Sequence, residues 1–231
     1  MLGELSRVER EKLPPLKRVA LSFAEGVRPD PRQTLSEWAA ENRRLPKEAA
    51  SEPGRWRNER TPYLVEIMDS LSPDSPVERV VFMKGAQVGG TEAGNNFLGF
   101  VVDRGMGPTL VVVKTDSMAR RYSKQRLAPL MRDTPSLRFK VKDSRKRDSG
   151  NTLLQKEFPG GVLMIANAEA AAGLRSMPIR NLFMDEIDSY PQDAEGEGDP
   201  CELAVKRTAT FHRRKILEVS TPTVEGLSRI A

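Results

Sequence analysis

Residues 79–91 read Arg79-Val80-Val81-Phe82-Met83-Lys84-Gly85-Ala86-Gln87-Val88-Gly89-Gly90-Thr91, and Glu92, Ala93, Asn96 and Phe97 follow at helical spacing. A β-branched apolar run, a loop of small residues and a helix start form a strand–loop–helix unit that can cradle phosphate. Small residues let backbone N–H groups turn inward, and the first turn of the helix adds free N–H groups and its positive dipole end. The usual spacing G-x-x-x-x-G-K-[ST] is broken twice: Lys84 stands at the first glycine and Gly90 at the lysine. A lysine in the first position still meets the charge requirement if its long stem folds back over the loop toward the β- and γ-phosphates. Thr91 can offer its hydroxyl to Mg²⁺. Alone, the loop leaves two readings open, a nucleotide site or a glycine-rich turn kept for tight packing.

A second run, Leu182-Phe183-Met184, ends in Asp185-Glu186. A buried strand of this kind delivers two carboxylates to the C-terminal edge of a sheet, where open α/β sheets bind their ligands. Asp185 is expected to hold Mg²⁺ directly or through water, and Glu186 to act as general base on the attacking water. A third run, Leu217-Glu218-Val219, ends in Ser220-Thr221 closed off by Pro222, the place for polar groups that sense the γ-phosphate and couple it to the domain. Its other reading is an ordinary ST-turn. Between them, the small-residue stretch Ala171-Ala172-Gly173-Leu174-Arg175-Ser176 presents one arginine, a residue type suited to transition-state phosphate.

The remainder is consistent with one α/β domain. The chain has 231 residues, enough to bury roughly 70–75% of its unfolded surface. From Pro76 onward, short β-branched runs alternate with longer amphipathic segments, the pattern of a mostly parallel sheet covered by helices. Expected strands are 79–83, 109–113, 162–166, 181–184 and 216–220, and Pro159-Gly160-Gly161 marks a hairpin within 152–166. Residues 1–60, rich in charge and proline, read as an arm with short helices, and 61–231 as the main domain. Within the arm, Thr34 and Glu37 form a capping box ahead of Leu35, Trp38 and Ala39. That helix either packs on the main domain or docks to a partner protein.

Composition narrows the chemistry. Lysine and arginine total 37 against 32 acids, a formal +5 that suits a polyanion without requiring one. The single Cys201 allows no internal disulfide and reads as a small buried side chain in a reducing compartment. The single His212 reads as structural or solvent-facing, which argues against zinc hydrolase and histidine-based nucleophile schemes. No run approaches the roughly 18 apolar residues of a membrane span, so the expectation is an intracellular, soluble protein. Residues 140–147 hold five basic side chains, either a phosphate contact or a solvated loop. The acids Glu195, Glu197 and Asp199 read as a glycine-punctuated loop rather than a metal site.

The order of these pieces resembles the gpA-type large subunit of lambda-like phage terminases. Besides the three motifs, the resemblance is carried by Ser36-Glu37-Trp38-Ala39, Glu52-Pro53-Gly54-Arg55-Trp56, Pro62-Tyr63-Leu64, the run from Asp188 through Gly196-Glu197-Gly198-Asp199-Pro200, and Arg207-Thr208. The displaced lysine is itself a feature of that group. The resemblance implies a P-loop NTPase fold of the ASCE, terminase type and an ATP- and Mg²⁺-dependent motor that moves double-stranded DNA into a procapsid. It implies Lys84, Gly85, Ala86, Gln87, Val88, Gly89, Gly90 and Thr91 around the phosphates, with Tyr63 stacking near the adenine or packing in the core. It also implies Arg175 acting as a finger in trans within a ring of subunits. A small terminase subunit and a portal on the procapsid are the implied partners, and the host cell cytoplasm the implied location. The family's C-terminal nuclease domain has no counterpart before Ala231, so the chain is read as the motor part alone. A helicase-like DNA-dependent ATPase and a non-catalytic DNA-binding assembly module are the alternatives.

Overall fold

The computed structural model describes residues 13–27, 32–48, 51–141, 151–175 and 177–231. Its elements, in chain order, are α1 (Pro15–Gly26), α2 (Leu35–Asn42), β1 (Arg44–Leu45), β2 (Gly54–Arg55), α3 (Tyr63–Ser70), β3 (Arg79–Met83) and α4 (Gly90–Arg104). There follow β4 (Thr109–Val113), α5 (Asp116–Tyr122), α6 (Ala128–Asp133), β5 (Gln155–Phe158), β6 (Gly161–Asn167), α7 (Ala171–Arg175), β7 (Asn181–Asp185), α8 (Pro200–Lys206) and β8 (Lys215–Ser220).

Six strands form one sheet in the order β3-β8-β7-β4-β6-β5. All pairings are parallel except β5 with β6, the hairpin that turns at Pro159-Gly160. The α/β class with a mostly parallel sheet is therefore the observed one, and each expected strand is present within a residue or two at either end. Side-chain alternation on the central strands divides the core in two. On β4, Val111 and Val113 join Phe97, Val101, Phe183 and Trp38 on one face. Leu110 and Val112 join Leu182, Met184, Ile216 and Ala204 on the other. A period of two is what a strand buried on both faces needs, because successive side chains must feed opposite layers.

Compact packing divides the chain into 1–32 and 33–231. The boundary expected near residue 60 falls inside the second of these units. Helix α2 carries the expected capping box: Thr34 accepts from the Glu37 N–H, and the Glu37 carboxylate accepts from the Thr34 N–H at 2.9 Å. Its indole at Trp38 is fully buried, donating to Asp103 on α4 at 2.7 Å and meeting Phe100 edge-on at 6.0 Å. A helix that sinks a tryptophan beneath α4 belongs to the body, and of the two readings for this segment the packing one holds. Gly99 makes the approach possible, since a Cβ there would lie 2.5 Å from the Trp38 ring.

Helices α5 and α6 run into one another through a π-turn at Ser123–Leu127. Pro129 lies at the start of α6 and has no N–H to give to the carbonyl four residues back, and its ring crowds that carbonyl. A widened turn is one way a helix accommodates such a residue. Of the basic stretch at 140–147, residues 142–147 fall outside the described set, while Lys140 pairs with Asp103 at 2.8 Å. Among the described residues no helix is long and apolar enough to cross a membrane.

Gly99→Ala should cost ~1–3 kcal/mol in urea unfolding by overpacking against Trp38. A change below a few tenths of a kcal/mol would contradict the close approach of α2 to α4.

Candidate nucleotide site

The C-terminal ends of β3, β7 and β8 are neighbours in the sheet, and each delivers one of the sequence motifs to the same rim. Lys84 follows β3, Asp185 ends β7 with Glu186 after it, and Ser220 ends β8 with Thr221 after it. The Lys84 ammonium donates to Glu186 Oε1 at 2.6 Å and to Thr221 Oγ1 at 3.1 Å. Glu186 Oε2 accepts from the Thr221 N–H at 3.3 Å, and the Ser220 carbonyl accepts from the Lys84 N–H at 3.0 Å. One lysine thus ties together the loop, the acid pair and the β8 terminus.

The displaced lysine has a steric explanation. A Cβ at position 90 would lie 2.6 Å from Lys84 Cδ and 2.7 Å from Lys84 Cε. The stem of Lys84 and, at 2.7 Å, the Val219 side chain of β8 together fill the space where an ordinary residue 90 would carry its side chain, so glycine at 90 accompanies a lysine at the front of the loop. Gly89 takes φ +84° at the helix entrance, with Leu64 of α3 close behind it. Gln87 and Glu186 both hold left-handed backbone, φ 61° and 58°. Non-glycine residues in that region store strain, and such residues cluster at functional sites.

Thr91 at the start of α4 donates to Asp185 Oδ2 at 3.0 Å. The other oxygen, Asp185 Oδ1, is buried with no hydrogen-bond partner. Burial lifts the Asp185 carboxyl to about 6, with Glu186 adding to the rise and Thr91, Lys84 and Arg126 opposing it. An unsatisfied buried acceptor beside a hydroxyl is a fit for a hard cation. Among the described residues no group of three or more His, Cys, Asp or Glu could hold a metal by itself. A cation here would therefore need phosphate oxygens to complete its shell, as Mg²⁺ does at P-loops.

The rim opens into a cavity of about 620 Å³ lined by Lys84, Gln87, Val88, Gly89, Gly90, Thr91 and Glu186, and closed on its far side by the β1–β2 segment with Trp56 and Arg55. Gly85 and Ala86 belong to the same loop but do not line it. Tyr63, half exposed at the start of α3, donates its hydroxyl to the Val88 carbonyl at 3.0 Å. It supports the loop from behind and is not among the cavity-lining residues, where Trp56 is the aromatic. Arg175 also lies outside the lining. The stretch expected as a loop is a single helical turn, α7, and Arg175 pairs at the surface with Glu197.

The remaining acids of 193–199 have structural duties. Asp199 caps α8 through the Cys201 and Glu202 N–H groups and pairs with Arg229 at 2.9 Å, and Glu195 accepts from the Ala171 N–H. Cys201 is buried, its thiol pushed up to about 12 by burial, and His212 is exposed.

Sequence reading missed Glu92, Arg126, Arg57 and Arg60, all of which line the cavity. Glu92 accepts from Arg43 at 3.0 Å and from Arg126 at 3.1 Å, and Glu52 accepts from Arg57 at 2.7 Å and from Arg60. The Glu92 contacts span 49 and 34 positions, and the Glu52 pairs, though only five and eight positions apart, sit in an irregular segment with no periodic pattern. The one available signal was Pro129, a break inside a helical run.

The description "Phage terminase large subunit gpA, ATPase domain" belongs to the family model that matches residues 50–231. The chain is 32% identical over 204 residues to the terminase large subunit of Escherichia phage lambda, covering 88% of this chain and 31% of that protein. It is 30% identical over 198 residues to the terminase large subunit of Enterobacteria phage P21, covering 85% and 30%. The chain thus spans about a third of the length of these curated relatives. Among solved structures, the HK97 bacteriophage large terminase matches with a TM-score of 0.61 at 11% identity, over 81% of this chain and 38% of that one, a likeness of fold.

A buried carboxyl with a raised pKa costs stability once ionised. The folded state binds this proton more tightly than the unfolded chain, so the cost is full above about pH 6 and gone below about pH 4. In metal-free buffer Asp185→Asn should therefore stabilise the protein by ~1–3 kcal/mol at pH 8, the gain closing as pH falls through 6 toward 4. Equal stability of the two proteins at pH 8 would contradict this burial.

Proposed function

This chain belongs to the gpA ATPase-domain family of phage terminase large subunits, and from that premise we propose that it hydrolyses ATP at the β3–β7–β8 rim to drive double-stranded DNA into a procapsid. The observation that carries the reading is the convergence of Lys84, Glu186 and Thr221 on one point beside Thr91 and Asp185.

The mechanism follows from what these groups can exchange. Lys84 neutralises Glu186, so the carboxylate is occupied and the ammonium is satisfied. A triphosphate laid along Gly89, Gly90 and Thr91 attracts the ammonium away from Glu186, because phosphate oxygens carry more charge and the loop N–H groups already hold them in place. Glu186, released, accepts a proton from the water that attacks the γ-phosphorus as the bond to ADP breaks. Thr221 loses its lysine contact in the same event while its N–H still faces Glu186, so β8 registers whether the γ-phosphate is present. Thr91 and Asp185 would hold Mg²⁺, which neutralises charge on the β- and γ-oxygens when bound. Gly85 and Ala86 let the loop turn, and Tyr63 braces it from behind at Val88.

Arg175 is presented away from its own cavity, held by Glu197 at the surface. That placement suits donation in trans to a neighbouring subunit in a ring. The partners that follow are double-stranded DNA, a small terminase subunit and the portal of the procapsid, and the setting is the host cell cytoplasm. DNA binding should be independent of sequence and fall steeply with salt, since phosphate contacts carry it.

In steady-state assays with Mg²⁺, Lys84→Ala and Glu186→Gln should each lower ATP turnover at least ~100-fold. Full turnover by Lys84→Ala overturns the site. Mixing Arg175→Ala with Glu186→Gln protein at high concentration should restore part of the lost rate, and no restoration at any ratio removes the shared finger.

A further inference from the structure

We propose that Arg126 is a phosphate-binding residue of this site, stored on Glu92 until a polyphosphate takes it. The inference rests on the nucleotide reading above and adds a cation that lies outside the P-loop.

The P-loop itself carries a single positive side chain, Lys84. Across the same cavity Arg126 projects from the π-turn between α5 and α6, beside Glu92 in the first turn of α4. Its side chain is 41% exposed and makes one hydrogen bond among the described residues, from Nη1 to Glu92 Oε1 at 3.1 Å. A guanidinium has five N–H donors, so most of its capacity is unused and faces the cavity.

The partner can release it without loss. Glu92 Oε2 is already held at 3.0 Å by Arg43, which is 1% exposed and further fixed by Asn96 at 3.1 Å, and Glu92 Oε1 also accepts from Asn95 at 3.0 Å. When Arg126 leaves, Glu92 stays paired and hydrogen-bonded. The Arg126–Glu92 pair is only partly exposed, 41% on the arginine side and 24% on the glutamate side, and is held by a single bond, whereas a guanidinium on phosphate can bind through two parallel charge-assisted bonds. The exchange therefore runs toward phosphate. Lys84 on Glu186 follows the same logic, so the cavity keeps two of its cations on carboxylates that a nucleotide displaces. Pro129 gives Arg126 its aim: the widened turn lies immediately before it, and a regular helix would rotate residue 126 to another face.

The test is equilibrium binding of a non-hydrolysable ATP analogue to the full chain, with inorganic tripolyphosphate and adenosine as separate competitors. Arg126→Ala should weaken the analogue and tripolyphosphate by about 10–100-fold while leaving adenosine within twofold. Arg126→Lys, which keeps the charge and the fold but not the fork, should recover part of the loss. Glu92→Gln should tighten the analogue in wild-type background and have no such effect when residue 126 is alanine. Unchanged tripolyphosphate binding in Arg126→Ala, or equal losses for tripolyphosphate and adenosine, overturns the proposal. A Glu92→Gln gain that persists without Arg126 overturns the storage role. Lys84→Ala serves as reference: if it weakens the analogue while Arg126→Ala does not, the Arg126 inference alone fails. If the wild-type chain binds neither analogue nor tripolyphosphate, the nucleotide reading fails with it.

Discussion

A lysine ammonium 2.6 Å from a glutamate, at the rim of a parallel sheet, is the contact on which the rest of this structure turns. It can form only because β3, β8 and β7 lie side by side and end at the same level. It also needs Gly90, whose missing side chain is the space the lysine stem occupies. The pair is 6% exposed on the lysine side and 40% on the glutamate side. That combination fixes the ammonium and leaves the carboxylate within reach of water.

The same principle recurs around the cavity. Lys84 rests on Glu186, Arg126 on Glu92, Arg57 and Arg60 on Glu52. A pocket lined by uncompensated cations would be costly to hold in the folded state without its ligand, because like charges repel and their burial is opposed by lost hydration. Parking these four cations on carboxylates lowers that cost. Asp185 stands apart, a buried acid with one oxygen unsatisfied and its carboxyl pushed up to about 6 by burial.

Much of this was legible in the chain itself, for identifiable reasons. The strands 79–83 and 109–113 stand out because β-branched runs bounded by polar loops have few other uses. Lys84, Thr91, Asp185, Glu186 and Thr221 could be named because each sits at a strand or helix end, where direction is set by the element. Residues 33–60 were assigned to an arm because proline and charge dominate locally, yet Trp38 and Arg43 are buried in the body. What anchors them is Asp103, Asn96 and Glu92 on α4, some 50–65 positions away. Arg126 was missed for the same reason, since its aim depends on a proline-widened turn and its partner on another helix. Tyr63 entered through family resemblance and Arg175 through its small-residue setting, and in this chain both lie outside the cavity lining.

The direct measurement is a crystal structure of the chain with a non-hydrolysable ATP analogue and Mg²⁺. The account predicts Lys84 Nζ on β- or γ-phosphate oxygens, its stem still crossing Gly90, and Glu186 free of it. A bound triphosphate with Lys84 still on Glu186, or turned to solvent, would contradict it.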